Sequence, residues 1–146
     1  MEFDRNSSAG YLTNWAARLL ARAIERKLKP LGLSSGHLPV YFALAGGKSL
    51  TQKQLAIHAG TEQPTMAATL ARMERDGLII RTPDPKDRRS SLVELSPLAR
   101  NKEAAVLDAV HTTNTEALAG LDQQEKERFR AALRTIITTL KDHLGE

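Results

Sequence analysis

The chain has 146 residues, of which 41% are apolar and 4% aromatic, and its 21 basic and 17 acidic residues give a net charge of +4. This length and apolar content suffice for one domain with its own core, and the scarcity of aromatic residues favours helices over a β-sandwich. Cysteine is absent, which excludes a disulfide framework, a thiolate zinc site and a thiol redox sensor. The N-terminus lacks the pattern of a secretory signal, and no run approaches the roughly 20 apolar residues of a membrane span, so we expect a cytoplasmic protein without a membrane partner.

The first two predicted elements are helices. Apolar residues recur at helical spacing from Tyr11 to Leu28, and Pro30 ends this run. A second, shorter apolar stretch extends from Ser34 to Leu44. It ends before Gly46 and Gly47, where a glycine can adopt the left-handed conformation of a helix cap.

The third and fourth predicted helices form a helix-turn-helix. Thr51 begins the third helix with Gln54 three residues later, which is the pattern of a capping box. Gly60 ends this helix, and the fourth begins almost at once, running from Glu62 to Asp76. Two helices joined by so short a glycine-containing turn predict a helix-turn-helix.

A β-hairpin is predicted to follow. Leu78 to Thr82 and Ser91 to Leu95 have the pattern of short strands, joined by a charged tip from Asp84 to Arg89. Pro83 and Pro85 lack the amide hydrogen that a β-ladder needs, so we expect the tip to project as a loop clear of any sheet. A hairpin directly after a helix-turn-helix is a wing.

Two further helices are predicted at the C-terminal end. Ser96 and Pro97 begin the first, which runs to about Ala119. Asp122 with Glu125 forms the capping box of the second. The apolar stripe of this last helix covers more than four turns and comprises Phe129, Leu133, Ile136, Ile137, Leu140 and Leu144.

The terminal helices carry more apolar surface than a small reading domain can cover, so we expect them to pack against a second copy of the chain. Residues 1–146 are therefore predicted to form a single, mainly α domain with a small β-hairpin. Its winged helix-turn-helix lobe spans residues 34–95, and its helical dimerisation region spans residues 10–31 and 97–145.

Three linked segments resemble the MarR family of bacterial transcriptional regulators, and within it the SlyA-like branch. They are LTQKQLAIHAG, TEQPTMAATLARMERDGLIIR and DPKDRRSSLVELSPLA, in the order and spacing that the family uses for its third helix, reading helix and wing. The resemblance covers nearly the whole chain. It implies a homodimeric repressor that binds a pseudo-palindromic operator in double-stranded DNA and that is released by a small aromatic or phenolic anion. Ala68 departs from the basic residue of SlyA-like proteins, so the operator sequence does not carry over.

Candidate DNA contacts lie on the fourth helix, on the wing and on the third helix. A helix end fits the major groove of B-DNA, where polar side chains read base edges. The resemblance implies that the acid of the wing's Asp-x-Arg element braces the loop while its last residue, Arg89, enters the minor groove. The candidates are Gln63, Thr65, Thr69 and Arg72 on the reading helix, Lys86, Asp87, Arg88 and Arg89 on the wing, and Lys53 on the third helix. The alternative interpretation is an ordinary solvated surface. Residues 48–95 hold eight basic and six acidic residues, so net charge does not decide between them.

An effector site is predicted from the family resemblance. A planar carboxylate can be held by aromatic stacking and one arginine. The candidate residues are Tyr11, Trp15, Arg18, His37 and Tyr41. In the alternative interpretation Trp15 and Tyr41 belong to the core, and His37 is a hydrogen-bonded residue at a helix start.

Other classes of function have little support. The sequence has no P-loop, no nucleotide-binding glycine pattern and no G-x-S-x-G turn, so we expect neither an enzyme nor a cofactor. A zinc sensor using His37, Asp108 and His111 is a minor alternative, because the last two share a helix face. The main alternative is a winged-helix module that binds protein instead of DNA. Salt dependence separates the two, since only DNA binding releases condensed counterions.

Overall fold

The computed structural model describes residues 3–146, which form seven α-helices, two short 3-10 helices and a three-stranded antiparallel sheet. The mainly helical winged-helix class predicted from the sequence is confirmed. By packing, these residues fall into two units, the first ending at Val110 and the second comprising His111–Glu146. The elements in chain order are α1 (Ala9–Leu28), two 3-10 helices (Lys29–Leu31 and Ser35–His37), α2 (Leu38–Leu44), β1 (Leu50–Thr51), α3 (Gln52–Ala59), α4 (Gln63–Arg75), β2 (Ile79–Asp84), β3 (Asp87–Leu95), α5 (Pro97–Arg100), α6 (Glu103–Ala117) and α7 (Gln123–Leu144).

The core of the first unit gathers residues from α1 through α6, including Leu28, Leu44, Leu55, Leu70 and Val93, all 0% exposed. Because the end of α1 and the first half of α6 share this core, the packed unit extends beyond residues 34–95. The division into a reading lobe and a dimerisation region remains a prediction about function.

The N-terminal helices differ from the prediction at their starts. α1 begins two residues early, where the Ser8 hydroxyl accepts the Tyr11 N–H at 3.2 Å. The second predicted helix begins later, with the 3-10 turn Ser35–His37 before α2. Pro39 stands in the first turn of α2, where its missing N–H has no helical partner to lose.

The helix-turn-helix follows the predicted capping signals. The Thr51 N–H donates to Gln54 Oε1 at 2.9 Å, and the Gln54 N–H donates to Thr51 Oγ1 at 3.2 Å. Gly60 ends α3 with φ +63°, in the left-handed region that favours glycine. These two local signals set the start of α3 and the entry into α4.

The wing is a longer β-ladder than predicted. The strand order is β1-β3-β2, and β2 pairs with β3 from Ile79↔Leu95 through Pro83↔Ser91, with a register shift between Pro83 and Asp84. The expectation that the tip stands clear of the sheet is therefore wrong at Asp84 and Asp87, which pair with each other and leave Pro85 and Lys86 as the turn. β2 is an edge strand, which is the position in a sheet where proline is tolerated. The two-residue strand β1 was also missed, because only its pairing with β3 defines it.

The predicted fifth helix is two helices, α5 and α6. The Tyr41 hydroxyl donates to the Ala99 carbonyl at 3.0 Å, and the Lys102 N–H donates to the same carbonyl at 3.0 Å. In a continuous helix this carbonyl would accept the N–H of Glu103 instead. The break after Arg100 therefore coincides with a carbonyl that faces a side chain of α2.

The second unit contains α7, a 22-residue helix of which no residue is buried. Asp122 and Glu125 form its capping box, as predicted. Several large apolar side chains of α7 are exposed, namely Phe129, Ile136, Ile137, Leu140 and Leu144. Across residues 3–146, none of the helices has the length and apolar character needed to cross a membrane.

Candidate nucleic-acid interface

A polar cleft of about 410 Å³ lies between α3, the first residue of α4 and the wing. Of the predicted DNA contacts, Lys53, Gln63, Asp87 and Arg89 line this cleft. They come from three elements that are well separated along the chain. The fold therefore brings the reading-helix start and the wing tip to one surface.

The first turn of α4 presents its polar residues outwards because the opposite side is anchored in the core. Met66 and Met73 are 2% and 0% exposed. Gln63 and Thr65 are exposed, and Pro64 occupies the first turn, where helices tolerate proline. The turn thus offers an amide and a hydroxyl side chain to solvent.

Thr69, a predicted DNA contact, does not belong to this exposed surface. The residue is 8% exposed, and its hydroxyl donates to the Thr65 carbonyl at 3.2 Å. Arg72 is exposed, with Nη2 3.5 Å from the Thr69 hydroxyl. Arg72 lies nine residues after Gln63, about 13 Å along the helix axis, and does not line the cleft.

Asp87 holds the backbone of the wing. Its Oδ1 accepts the Arg89 N–H at 3.0 Å and lies 3.5 Å from Arg89 Nε. On the other side of the turn, the Lys86 N–H donates to Asp84 Oδ1 at 2.9 Å. The Arg89 side chain is nevertheless 92% exposed, so its guanidinium extends from a fixed backbone into solvent. Lys86 and Arg88 are also exposed, although neither lines the cleft.

Arg81 is a cleft residue that was missed at the sequence level. Arg81 of β2 lines the cleft, and its Nε donates to Glu74 Oε2 of α4 at 3.0 Å. The two residues are seven apart in sequence. This spacing does not predict a contact between a helix and a strand unless the register of β2 is known. Only the pairing of Arg81 with Val93 in the sheet turns its side chain towards α4.

The five predicted effector residues are not brought together within one chain. Tyr11 and Trp15 stack edge to face on α1, with ring centroids 6.3 Å apart, and the Arg5 guanidinium lies 5.0 Å from the Trp15 ring centroid. Their neighbour Arg18 is exposed. The Ser35 N–H, near His37, donates to Glu25 of α1, and Glu25 lies about 15 Å along the helix from Trp15.

His37 and Tyr41 have structural roles in the first unit. The Ser34 N–H donates to His37 Nδ1 at 3.0 Å. Burial lowers the pKa of His37, opposed by the nearby negative charge of Asp76. Tyr41 is 4% exposed, and burial of the phenol, together with the charge of Glu103, raises its pKa to about 12. Both observations agree with the alternative interpretation of these two residues.

A cavity of about 500 Å³ lies between α2 and α6 and is lined by Tyr41 but by none of the other four. Phe42 and Leu107, 59% and 67% exposed, form apolar walls. Arg100 and Glu103 are its charged residues. An apolar cavity with a few polar groups is typical of small-molecule sites, so this cavity is a second candidate effector site beside the predicted crevice.

The zinc alternative has no support in the structure. Within the described range 3–146, no group of three or more His, Asp and Glu side chains is close enough to hold a metal ion. His37, Asp108 and His111 therefore do not form a site in this chain.

Comparisons with known proteins agree with this geometry. A sequence profile described as the MarR family matches residues 44–91, from the end of α2 to the outer part of β3. The uncharacterized HTH-type transcriptional regulator YwoH of Bacillus subtilis (strain 168) is 30% identical over 124 residues, which are 85% of this chain and 90% of YwoH.

Solved structures share the fold over nearly the whole chain. A probable transcriptional regulator from Pseudomonas aeruginosa is 28% identical, with a TM-score of 0.82 over 91% of this chain and 99% of its own. A mutant MarR from E. coli, crystallised in complex with operator DNA, is 19% identical, with a TM-score of 0.84 over 93% of this chain and 98% of its own. At that identity the second likeness concerns the fold alone.

Proposed function

Because this chain belongs to the MarR family of transcriptional regulators, we propose that it represses transcription by binding a pseudo-palindromic operator in double-stranded DNA as a homodimer. The observation that carries this proposal is the cleft that Lys53, Gln63 and Arg89 line together. A protein of the same fold was crystallised with operator DNA, which favours DNA over a protein partner. Membership of the SlyA-like branch stays a prediction from the three sequence segments.

The first turn of α4 is the proposed reading element. Gln63 and Thr65 are exposed there, and both carry groups that hydrogen-bond to base edges in the major groove. Lys53 on α3 is proposed to contact a phosphate, which positions the helix without reading sequence. Arg72 lies further along α4 and is proposed as a second phosphate contact.

The wing is proposed to place Arg89 in the minor groove. A narrow minor groove concentrates negative potential and attracts an arginine side chain. The guanidinium is 92% exposed while its backbone is held by Asp87, so little backbone freedom is lost on binding. Arg88 and Lys86, exposed beside it, add positive charge near the phosphates.

Selection of bound fragments from genomic DNA, followed by titration with the enriched site, tests this proposal. We expect two half-sites about 10 bp apart, since a symmetric dimer places both reading helices on one face of the duplex. Arg89→Ala should weaken binding to all sites and lower the slope of log K against log salt by about one per wing. Gln63→Ala should change the preferred sequence.

The matched control is Arg22→Ala, which removes an exposed arginine of α1 outside the cleft. It should leave both affinity and salt slope close to those of the unchanged protein. Binding that neither Arg89→Ala nor Gln63→Ala alters would contradict the proposed contacts. A partner bound with little salt dependence would favour the protein-binding alternative.

The homodimer is proposed to form through the exposed apolar faces of α7 and α1. In α7, Phe129, Ile136 and Leu140 are 40%, 43% and 54% exposed. On α1, Leu12 and Leu19 are 40% and 48% exposed. Helices of this length take most of their stability from burying an apolar face, and a second copy supplies that partner symmetrically.

Sedimentation at several protein concentrations tests the dimer. Leu140→Glu should shift the protein from dimer to monomer, because it places a charge in the proposed apolar contact. The control is Ile57→Glu on α3, a position that is 66% exposed and outside the proposed interface. Circular dichroism of both variants shows whether they remain folded. A Leu140→Glu variant that stays folded and dimeric would contradict the proposed interface.

Release by a small aromatic anion is proposed to act through the cavity between α2 and α6. Arg100 would hold a carboxylate, Glu103 would accept a phenolic hydroxyl, and Phe42 would contact the ring. The probe is 4-hydroxybenzoate, with 4-hydroxybenzyl alcohol as the neutral control. We expect the anion alone to raise the Tm and weaken operator binding, and Arg100→Met to abolish both effects. Equal effects of the two probes would exclude the charge interaction.

A further inference from the structure

The ion pair between Glu74 of α4 and Arg81 of β2 connects the reading helix directly to the wing. We infer that it sets the position of the wing, so that the acidic Glu74 promotes binding to a polyanion. This inference rests on the proposed DNA contact of Arg89. Arg81 Nε and Glu74 Oε2 are 3.0 Å apart, and the Arg81 side chain is only 29% exposed.

The ion pair is placed where it can restrict movement of the wing relative to α4. Arg81 stands three residues before Asp84, where β2 ends, and its partner in β3 is the fully buried Val93. On its buried side the hairpin is fixed to the core through Leu78 and Ile79, 2% and 4% exposed. The ion pair adds an attachment on the same face of β2, two residues further towards the tip. Because Val93 and Leu95 of β3 are also buried, the core already holds the base of the hairpin, and the ion pair restricts movement of the outer part of β2 relative to α4.

The other ion pair near the end of α4 makes no such connection. Arg75 and Asp76 are neighbours on the chain, 3.5 Å apart, with side chains 72% and 50% exposed. Breaking it removes an acid and an ion pair without changing any link to β2. Asp76→Asn is therefore a matched control for Glu74→Gln, because both substitutions remove one negative charge near the end of α4.

An effect of charge alone and an effect on the position of the wing predict opposite changes in DNA affinity for Glu74→Gln. Removing a negative charge near the DNA surface reduces repulsion of the phosphates and should tighten binding. Loss of the wing's position should weaken it. Since a partly exposed ion pair contributes modestly, we expect affinity to fall by roughly two- to five-fold per lobe. Asp76→Asn should leave affinity unchanged or slightly higher.

The salt slope and a double-mutant cycle identify the route of the effect. If Glu74 acts through the wing, Glu74→Gln should lower the salt slope towards that of Arg89→Ala, although it removes no cation. In the Arg89→Ala background the same change should cause no further weakening. The exchange Glu74→Arg with Arg81→Glu should recover part of the affinity, because it restores the attraction. Urea unfolding of each variant verifies that the lobe is folded.

The possible failures are distinguishable. If Arg89→Ala leaves operator binding unchanged, the proposed wing contact fails and this inference fails with it. If Arg89→Ala weakens binding while Glu74→Gln tightens it or leaves it unchanged, only the inference is overturned. Additive effects of Glu74→Gln and Arg89→Ala would also overturn it, since they would show that Glu74 acts independently of the wing.

Discussion

Replacing Tyr41 with phenylalanine removes one hydroxyl from the core and keeps the ring. In the folded protein this hydroxyl donates to the Ala99 carbonyl at 3.0 Å, from a side chain that is 4% exposed. The carbonyl retains a second donor, the Lys102 N–H, so it is not left without a partner. The expected loss of stability at neutral pH is therefore about 1 kcal/mol, the typical net contribution of one hydrogen bond.

The same hydroxyl makes the effect depend on pH. Burial raises the pKa of Tyr41 to about 12, whereas a tyrosine in the unfolded chain ionises near pH 10. The stability contributed by its protonated form is complete below pH 10 and is lost as the pH rises through 12. At pH 11 this loss amounts to about 1.4 kcal/mol. Phenylalanine has no such loss, so the two proteins should become equally stable between about pH 10 and 11.

Urea unfolding at equal protein concentration, at pH 7.5 and at pH 11, measures both effects. Tyr41→Phe should be less stable than the unchanged protein at pH 7.5 and no less stable at pH 11. Tyr11→Phe, at a position that is 46% exposed, is the control and should differ little from the unchanged protein at either pH. A deficit of Tyr41→Phe that is the same at both pH values would refute the assigned hydrogen bond and its pKa.

Two further substitutions test other parts of the first unit. Gly47→Ala and Gly46→Ala should both cost about 1–2 kcal/mol in urea unfolding, since both glycines have positive φ. Only Gly47→Ala should also weaken 4-hydroxybenzoate binding in calorimetry, because its Cβ would lie 2.8 Å from Arg100 Nη2 and displace that side chain. Glu25→Gln should be less stable at pH 7, and the difference should shrink as the pH falls below the ordinary pKa of glutamate, because the Ser35 N–H holds the pKa of Glu25 below its usual range. That stability is present above the ordinary pKa and lost as the pH falls through the folded value, and a constant difference in urea midpoint would contradict it.

The elements that local signals define were predictable from the sequence. The Thr51 capping box and the left-handed Gly60 depend on residues within one helical turn, and both occur where predicted. The break between α5 and α6 was not predictable in this way. It coincides with the hydrogen bond between Tyr41 and Ala99, which are 58 residues apart along the chain.

The residues of the candidate site also differ in whether local or long-range features place them. Gln63 and Arg89 follow from the positions of a helix start and a hairpin tip, which are local features. Thr69 was assigned to the wrong face of α4. Residues three and four positions apart share one side of a helix. Thr69 is three residues after the buried Met66, so it belongs to the buried stripe although its side chain is polar. The Arg81 ion pair required the register of the sheet.

The separation of the five predicted effector residues within one chain has a related cause. Tyr11, Trp15 and Arg18 share a helical face by spacing, but the distance from that face to Tyr41 depends on how far along α1 the core begins. The structure buries only Ile24 and Leu28 of α1, at its C-terminal end. Spacing along one helix carries no information about where another helix meets it.

The three-stranded sheet has edges that resist growth. β1 is two residues long, and β2 carries Pro83 together with a register shift before its last residue. Short edge strands, prolines and bulges all hinder the addition of a strand from another chain. The wings of neighbouring copies can therefore come close without fusing their sheets, and the hairpin that carries Arg89 is protected from seeding aggregation.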